Sequence, residues 1–117
     1  MSDILGEVTI RANGKQLKTK QGATLNPGGD THTRHTGAGR SWGSSKQFTV
    51  PSIAVVIAAA EDVDVIEIGK IKNATLTWEG NNGVDYMMTG AAQQAPFTIS
   101  DSGDITGTFE GDEVVRV

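Results

Sequence analysis

Residues 74–89 read ATLTWEGNNGVDYMMT, and they alternate between apolar and polar side chains on both sides of a turn. Every second residue from Ala74 to Trp78 is apolar, and the alternation resumes from Val84 to Met88. A period of two is typical of a strand with one buried face. The intervening Gly-Asn-Asn-Gly supplies residues that tolerate turn conformations. This stretch therefore predicts an antiparallel hairpin.

The same pattern recurs towards both ends of the chain. Val8 and Ile10 alternate with charged or polar neighbours, and the Asn13-Gly14 pair that follows favours a tight hairpin turn returning along residues 15–20. Downstream, three further short runs alternate in the same way: residues 97–99, 105–110 and 114–117. We therefore predict a mainly β chain, an antiparallel β-sandwich or barrel.

Two apolar segments are less regular. Residues 47–58 read as the most hydrophobic strand, but the alternation changes phase at Pro51, which indicates a bulge or bend. Residues 61–71 are ambiguous. Asp64 followed three residues later by Glu67 resembles a capping box, whereas the β-branched residues around them favour strand. We predict one short helix there.

Residues 21–46 lack any periodicity, because Leu25 is their only aliphatic residue larger than alanine and six glycines interrupt them. They also contain Arg34, His35, Arg40 and Trp42. Long loops inside small domains are usually functional or disordered, and an exposed tryptophan is costly unless something covers it. The sequence predicts a long flexible loop that a partner orders.

The composition limits the classes of function. A chain of 117 residues fits one domain, and the absence of cysteine excludes disulfides and thiolate zinc sites. Residues 1–58 carry a net charge of about +4 and residues 59–117 about −8. The net acidic total disfavours nucleic-acid binding. The asymmetry suits head-to-tail contact between copies, although two solvated faces without a partner would show the same pattern.

No arrangement of residues in the sequence predicts a catalytic, cofactor-binding or metal site. Asp30, His32 and His35 form the only cluster of metal-ligand types, and they lie among glycines and threonines that would not hold a ligand geometry. No nucleophile elbow or phosphate-binding loop is present. We therefore expect no catalytic residues, no cofactor-binding residues and no metal ligands. The lack of a secretory signal or a long apolar run predicts a chain that stays in the cytoplasm.

The order of these segments resembles a known family. A first hairpin, a long loop, "FTVPSIAVVIAA", "EDVDVIEIGKIKNATLTWE", "NGVDYMMTGAA" and a closing "APFTISDSGDITGTFEGDEV" are similar to tail tube proteins of contractile-tailed, Mu-like phages. The resemblance covers residues 7–111. It implies hexameric rings whose sheets join into an inner barrel, with the rings stacked inside a contractile sheath as a conduit for genome DNA. It also implies a fold shared with the ring protein of type VI secretion systems, and no catalysis or cofactor.

The resemblance further implies a single tail-tube domain over residues 1–117, located in the virion tail and assembled in the host cytoplasm. Its partners would be other copies of the chain and the sheath, baseplate and tail-terminator proteins, without a membrane. We expect inter-ring contacts from the long loop through Arg34, His35, Arg40 and Trp42. Residues expected to face the lumen are Glu79, Asp85 and Glu110.

Two other functions remain open on sequence grounds. One is a small, non-catalytic β-sandwich binding module of a phage particle, which would display an aromatic platform on one face. The other is a metal-dependent enzyme that uses His32 and His35.

Overall fold

A computed structural model describes residues 4–117, so the first three residues of the expected domain lie outside the described part. The chain is mainly β, with one short helix among the described residues. In chain order the elements are β1 Val8–Ala12, β2 Lys15–Leu17, β3 Thr24–Asn26, β4 Gly29–Gly37, β5 Arg40–Thr49, β6 Ser52–Ala58, α1 Val65–Gly69, β7 Ala74–Gly80, β8 Asp85–Gln93, β9 Thr98–Ile99, β10 Asp104–Glu110 and β11 Glu113–Arg116.

Nine of these strands form one antiparallel sheet in the order β2-β1-β7-β8-β10-β6-β3, with β11 added to β8 and β9 to β10. The two ends of this order meet because the chain leaving β2 turns onto β6. There the N–H of Lys20 donates to the carbonyl of Val56 at 2.6 Å, and that of Ala58 donates to Lys18 at 2.8 Å. The sheet therefore closes on itself, as expected for a small antiparallel barrel.

Both predicted hairpins are present, although the return strand of the first ends at Leu17 and not at residue 20, because residues 18–20 pair with β6. Asn13 and Gly14 have φ values of 51° and 85°, the positive values that a two-residue turn between β1 and β2 requires. Residues 74–89 form β7 and most of β8, with Trp78 opposite Tyr86 and Glu79 opposite Asp85. The alternation is also confirmed, since Ala74, Leu76 and Trp78 are buried and their neighbours are only partly covered.

The core lies inside the closed sheet. Its fully buried large side chains come from five strands: Ile10, Ile53, Ile57, Leu76, Met88, Ile105 and Phe109. Phe97 lies over Gly107 and packs its ring against that of Phe109, with 4.9 Å between the centroids. The burial of these apolar side chains is the main term that stabilises the fold.

The predicted helix is present as α1, although it is only five residues long. Asp64 caps it, because its Oδ1 accepts a hydrogen bond from the backbone N–H of Ile66 at 2.9 Å. Ile68 enters the core while Ile66 stays exposed. The β-branched residues around Asp64 thus did not prevent a helical turn, because the cap and the burial of Ile68 favour it.

The prediction of an irregular loop over residues 21–46 is wrong in its backbone conformation. β3 lies within that range, and β4 pairs with β5 along a two-stranded ribbon that ends in the turn Ala38–Gly39. Ala38 and Gly39 have φ values of 50° and 77°, as a tight hairpin turn requires. We call residues 29–49 the arm and the remaining described residues the body.

The prediction of one continuous strand over residues 47–58 is also wrong. Gln47, Phe48 and Thr49 belong to the exposed arm, and the core strand β6 begins only at Ser52. Phe48 is 61% exposed. The change of phase at Pro51 marks the boundary between these two elements rather than a bend within one strand.

The arm elongates the molecule. The radius of gyration of the molecule is 17.3 Å, whereas the radius of gyration expected for a compact chain of this length is about 13 Å. Every residue from 29 to 49 is exposed except Gly37, which is half-buried. Between residues 4 and 117, the structure contains no helix with the length and apolar character needed to cross a membrane.

Candidate interaction surfaces

The two faces of the arm differ in chemistry. Residues opposite each other in an antiparallel pair share a face, so Asp30, His32 and Arg34 lie on one face with their partners Phe48, Lys46 and Ser44. Lys46 approaches the carboxylate of Asp30 at 3.5 Å on this face. The opposite face is composed largely of hydroxyl and amide groups, from Thr31, Thr33, Ser45, Gln47 and Thr49 together with the ring of His35.

The far end of the arm is built around Trp42. The register shifts between His35 and Thr36, so Trp42 occupies a bulge. Its indole covers Gly37, where an added Cβ would lie 2.5 Å from the indole nitrogen. The guanidinium of Arg40 lies over the indole, 5.7 Å from the ring centroid. Trp42 is nevertheless 63% exposed, so the arm presents a large aromatic surface to solvent.

The arm brings together the four residues expected to make inter-ring contacts, but it does not place them on one face. Arg34 lies on the charged face, whereas the Nε2 of His35 is 3.0 Å from the hydroxyl of Ser45 on the opposite face. Arg40 and Trp42 form the tip. Any partner that contacts all four must therefore surround the end of the arm rather than lie against one side.

The histidines of the rival metal site are separated by the same geometry. His32 lies on the charged face and His35 on the hydroxyl face of the ribbon. Among residues 4–117, no group of three or more metal-ligand side chains is arranged to hold an ion. The ribbon therefore gives the metal-dependent alternative no structural support.

Charge divides between arm and body. Within residues 29–49 the basic side chains are Arg34, Arg40 and Lys46, and the acidic one is Asp30, which gives a net charge of +2. Because the whole chain carries −4, the rest carries −6. Half of the net charge of +4 on residues 1–58 therefore lies on the arm.

A second exposed feature lies where the arm leaves the body. β10 pairs with β6 up to the hydrogen bond from the N–H of Gly111 to the carbonyl of Pro51, at 3.1 Å. Beyond this point the chain continues as β11, which pairs with β8 on one side only within the described part of the chain. We call the other side of β11 the open edge.

The residues expected to face a lumen fall into two places. Glu79 and Asp85 are cross-strand partners beside the β7–β8 turn, and the Nε of Arg11 binds Glu79 at 2.9 Å. Glu110 is opposite Ala92 and Ser52, seven positions along β8 from Asp85. At the usual rise per residue, this separation is about 23 Å. Arg11 is a neighbour that the sequence analysis did not include.

Comparison with known proteins identifies the family. A family profile described as phage tail tube protein matches residues 1–116. The chain belongs to the phage tail tube protein family. A relative of this tail tube protein is the Mu-like prophage FluMu tail tube protein of Haemophilus influenzae. It is 31% identical over 112 residues, which cover 96% of this chain and 94% of that protein.

Two solved structures share the fold of this tail tube protein. One is a sheath/tube terminator of an extracellular contractile injection system, PVC, in the extended state, with a TM-score of 0.72 at 9% identity. The alignment covers 100% of this chain and 97% of that one. The other is the tube-terminating cap of the anti-feeding prophage, with a TM-score of 0.68 at 14% identity, covering 99% and 95%. The antiparallel, mainly β fold predicted from the sequence is confirmed.

The sequence of this tail tube protein contains two signals for the arm that the prediction of a loop did not take into account. Threonine, a β-branched residue, recurs at positions 31, 33 and 36, which favours an extended strand. Ala38-Gly39 is a turn dipeptide near the centre of the segment. Neither signal has apolar alternation beside it, which is why the segment was interpreted as a loop.

Proposed function

We propose that copies of this tail tube protein form hexameric rings, and that the rings stack into a hollow tube inside a contractile sheath. DNA would pass through the lumen without specific binding. The partners would be the chain itself and the sheath, baseplate and tail-terminator proteins. The protein would act as a structural component of the virion tail, assembled in the host cytoplasm, without catalysis and without a cofactor.

The observation that carries this proposal is the arm. Strand β4 alone extends about 30 Å, and the arm exposes an indole and a phenyl ring that the described body does not cover. Exposed aromatic surface of this kind is typical of an interaction site. A copy placed above or below in a stack would cover it.

Charge supports a second copy as the partner of the arm. The arm carries +2 and the body −5, so contact between an arm and a neighbouring body is electrostatically favourable. Such a contact joins different surfaces of two identical chains. Repeated contacts of this head-to-tail kind generate open, helical assemblies, which is the symmetry of a tube built from stacked rings.

The open edge supports ring formation. An unpaired strand edge presents backbone donors and acceptors that a neighbouring strand can bind. The exposed side chains here include Glu113 and Arg116, whose charges discourage uncontrolled pairing. A ring of copies would cover this edge in each subunit.

The lumen assignment remains part of the proposal. A wall that lets DNA slide should lack clusters of cationic side chains, because these bind phosphates. The face bearing Glu79 and Asp85 meets this condition, since the guanidinium of Arg11 is held by a carboxylate there. Glu110 lies on a separate part of the sheet, so its exposure to the lumen is an independent test.

The comparisons support the same function. The relative from Haemophilus influenzae is named a tail tube protein, and the two solved structures are terminator and cap proteins of contractile systems. The binding-module alternative would need an aromatic platform. Trp42 is at the arm tip, Trp78 is buried in the core and Tyr86 is half-buried, so these rings do not form one.

Electron microscopy of negatively stained, purified protein tests the proposal. We expect hollow rings or tubes from the native chain and none from Arg34→Glu/Arg40→Glu, which reverses the charge of the arm. The matched control is Lys70→Glu/Lys72→Glu, which makes the same change in net charge on the body. Equal tube formation by the two variants would reject the role of the arm, and a permanently monomeric native protein would reject the tube.

A further inference from the structure

The root of the arm contains an interrupted ladder. β3 pairs with β6 from Thr24 opposite Ala54 to Asn26 opposite Ser52. β4 then pairs with β5 from Gly29 opposite Thr49 onward. Two residues on each strand separate these pairs, so the second ladder continues the register of the first. The arm is therefore an extension of the β3–β6 pair, broken at two successive levels, 27–51 and 28–50.

The level of the break that should carry ladder hydrogen bonds is Gly28 opposite Val50. The carbonyl of Pro51 accepts from the N–H of Gly111, so the backbone polar groups of Pro51 face β10, and a missing N–H at that level removes no bond to β3. Gly28 instead has a φ of 73° and Gly29 one of 128°, values that lie outside the extended range of a strand and that glycine adopts without strain. The two glycines therefore turn the chain out of the ladder where the next bonds would form.

The backbones of the two strands come close together at the break. A Cβ at Gly28 would lie 2.6 Å from the carbonyl oxygen of Thr49 and 2.7 Å from the nitrogen of Pro51. The two backbones therefore meet there without intervening side chains. The side chain of Asn26 accepts a hydrogen bond from the N–H of Gly28 at 2.9 Å, a contact within one strand that does not tie the two strands together.

Both sides of the break are regular. The arm is held by continuous pairing from Gly29 to His35, with the His35–Ser45 contact and the Asp30–Lys46 pair across its faces. On the body side, β6 lies between β3 and β10, with Ile53 buried in the core. Between them, Pro51 is buried and its carbonyl accepts from the N–H of Gly111, so the body holds this strand as far as Pro51. On the arm side of Pro51, Val50 is 41% exposed, and no buried apolar side chain holds the arm.

We propose that the arm is a stiff ribbon that pivots as one unit about a hinge formed by residues 27–29 and 50. The free subunit samples several arm directions, and contact with a second copy selects one of them. The pivot itself is a property of the single chain. The role of the pivot in assembly rests on the proposed tube. There, an arm that can change direction can first touch a neighbouring copy and then settle into the final contact.

Spin labels can measure the pivot, because the chain contains no cysteine and two introduced thiols are the only attachment points. Thr33→Cys with Thr106→Cys reports the distance from arm to body, and Ser41→Cys with Gln47→Cys reports a distance within the arm. We expect the distance distribution of the first pair in the monomer to be at least about twice as wide as that of the second. Equal widths would overturn the hinge.

A second variant tests the cause. Gly28→Ala/Gly29→Ala disfavours the positive φ values at the break, and we expect the arm-to-body distribution to narrow by about half. An unchanged width would exclude the glycines as the cause. If that variant does not fold, backbone amide relaxation of the native chain decides, since a hinge requires lower order parameters at residues 28–29 and 50 than at residues 31–35. All three measurements use monomeric protein, so their result stands whether or not tubes form.

Discussion

Phe109 and Phe48 show how differently the body and the arm use the same side chain. Phe109 is fully buried inside the closed sheet, whereas Phe48 is 61% exposed on a ribbon that has solvent on both faces. The strands of the body alternate apolar and polar residues and stabilise one another by burial. The arm has almost no apolar alternation, so its strands are held by backbone pairing and a few exposed polar contacts instead of by burial. The body thus covers its own apolar side chains, whereas the arm leaves Phe48 and Trp42 exposed.

The largest effect expected from this difference comes from truncating the two phenylalanines. Phe109→Ala leaves a cavity in the core and should lower the free energy of unfolding by about 3–5 kcal/mol. Phe48→Ala, the matched control, should change it by less than about 0.5 kcal/mol, because a surface residue is removed. Urea denaturation of both variants measures the contrast. Similar losses would show that the arm contributes to the stability of the folded monomer.

Adding a methyl group at one glycine of the body and at one of the arm should give a smaller difference in stability. An added Cβ would lie 2.5 Å from a ring atom in both cases, from Phe97 at Gly107 and from Trp42 at Gly37. Gly107→Ala should cost about 1–3 kcal/mol, because Phe97 is packed against Phe109 and cannot move freely. Gly37→Ala should cost less than about 0.5 kcal/mol, because the exposed indole can rotate away. Thermal unfolding compares the two, and an equal loss would mean that the arm tip is rigidly packed.

The two tryptophans should differ in access to solvent. Trp78 is 5% exposed and Trp42 is 63% exposed. In the variant Trp42→Phe the remaining fluorescence should resist quenching by acrylamide, whereas in Trp78→Phe it should be quenched several-fold more strongly. The comparison also follows assembly, because formation of the proposed tube should protect Trp42 and leave Trp78 unchanged. Unchanged quenching of Trp42 in intact tubes would contradict its role as a contact residue.

The smallest expected effect concerns a single ion pair of the body. The ammonium of Lys18 donates to both carboxylate oxygens of Asp62, at 2.8 and 2.7 Å, and lowers the pKa of Asp62 below its ordinary value. A lowered pKa in the folded state stabilises the protein above the unfolded pKa and loses that contribution as the pH falls through the folded value. Lys18→Met should return the pKa of Asp62 towards 3.8. An NMR titration of the Asp62 carboxyl measures the change, and Lys46→Met on the arm should leave it unaltered.

The regular parts of the body could be predicted because their signals are local. The alternation through β7 and β8, the Asn13-Gly14 turn and the Asp64 cap each depend on residues close together in the chain. The boundary at Pro51 was placed correctly but interpreted wrongly. Phe48 and Val50 are as hydrophobic as core residues, and only the divergence of the arm from the sheet leaves them exposed.

The candidate surfaces were less accessible to sequence reasoning. Arg34, His35, Arg40 and Trp42 were correctly grouped as one segment, since they are neighbours in the chain. Their distribution over two faces and a tip depends on the ribbon register and on the bulge at Trp42, which composition does not encode. The pairing of Arg11 with Glu79 joins residues 68 positions apart, and it requires β1 to lie beside β7.

The sequence by itself determined that this chain is an antiparallel β protein with one short helix, because side-chain alternation, turn residues and a helix cap act over a few residues. Its resemblance to tail tube proteins followed from the order of those elements. Only the tertiary structure decided that the sheet closes through residues 18–20, that β11 keeps an open edge and that residues 29–49 project as a ribbon. These features depend on which distant strands pair, and that choice is made by the packing of the whole core.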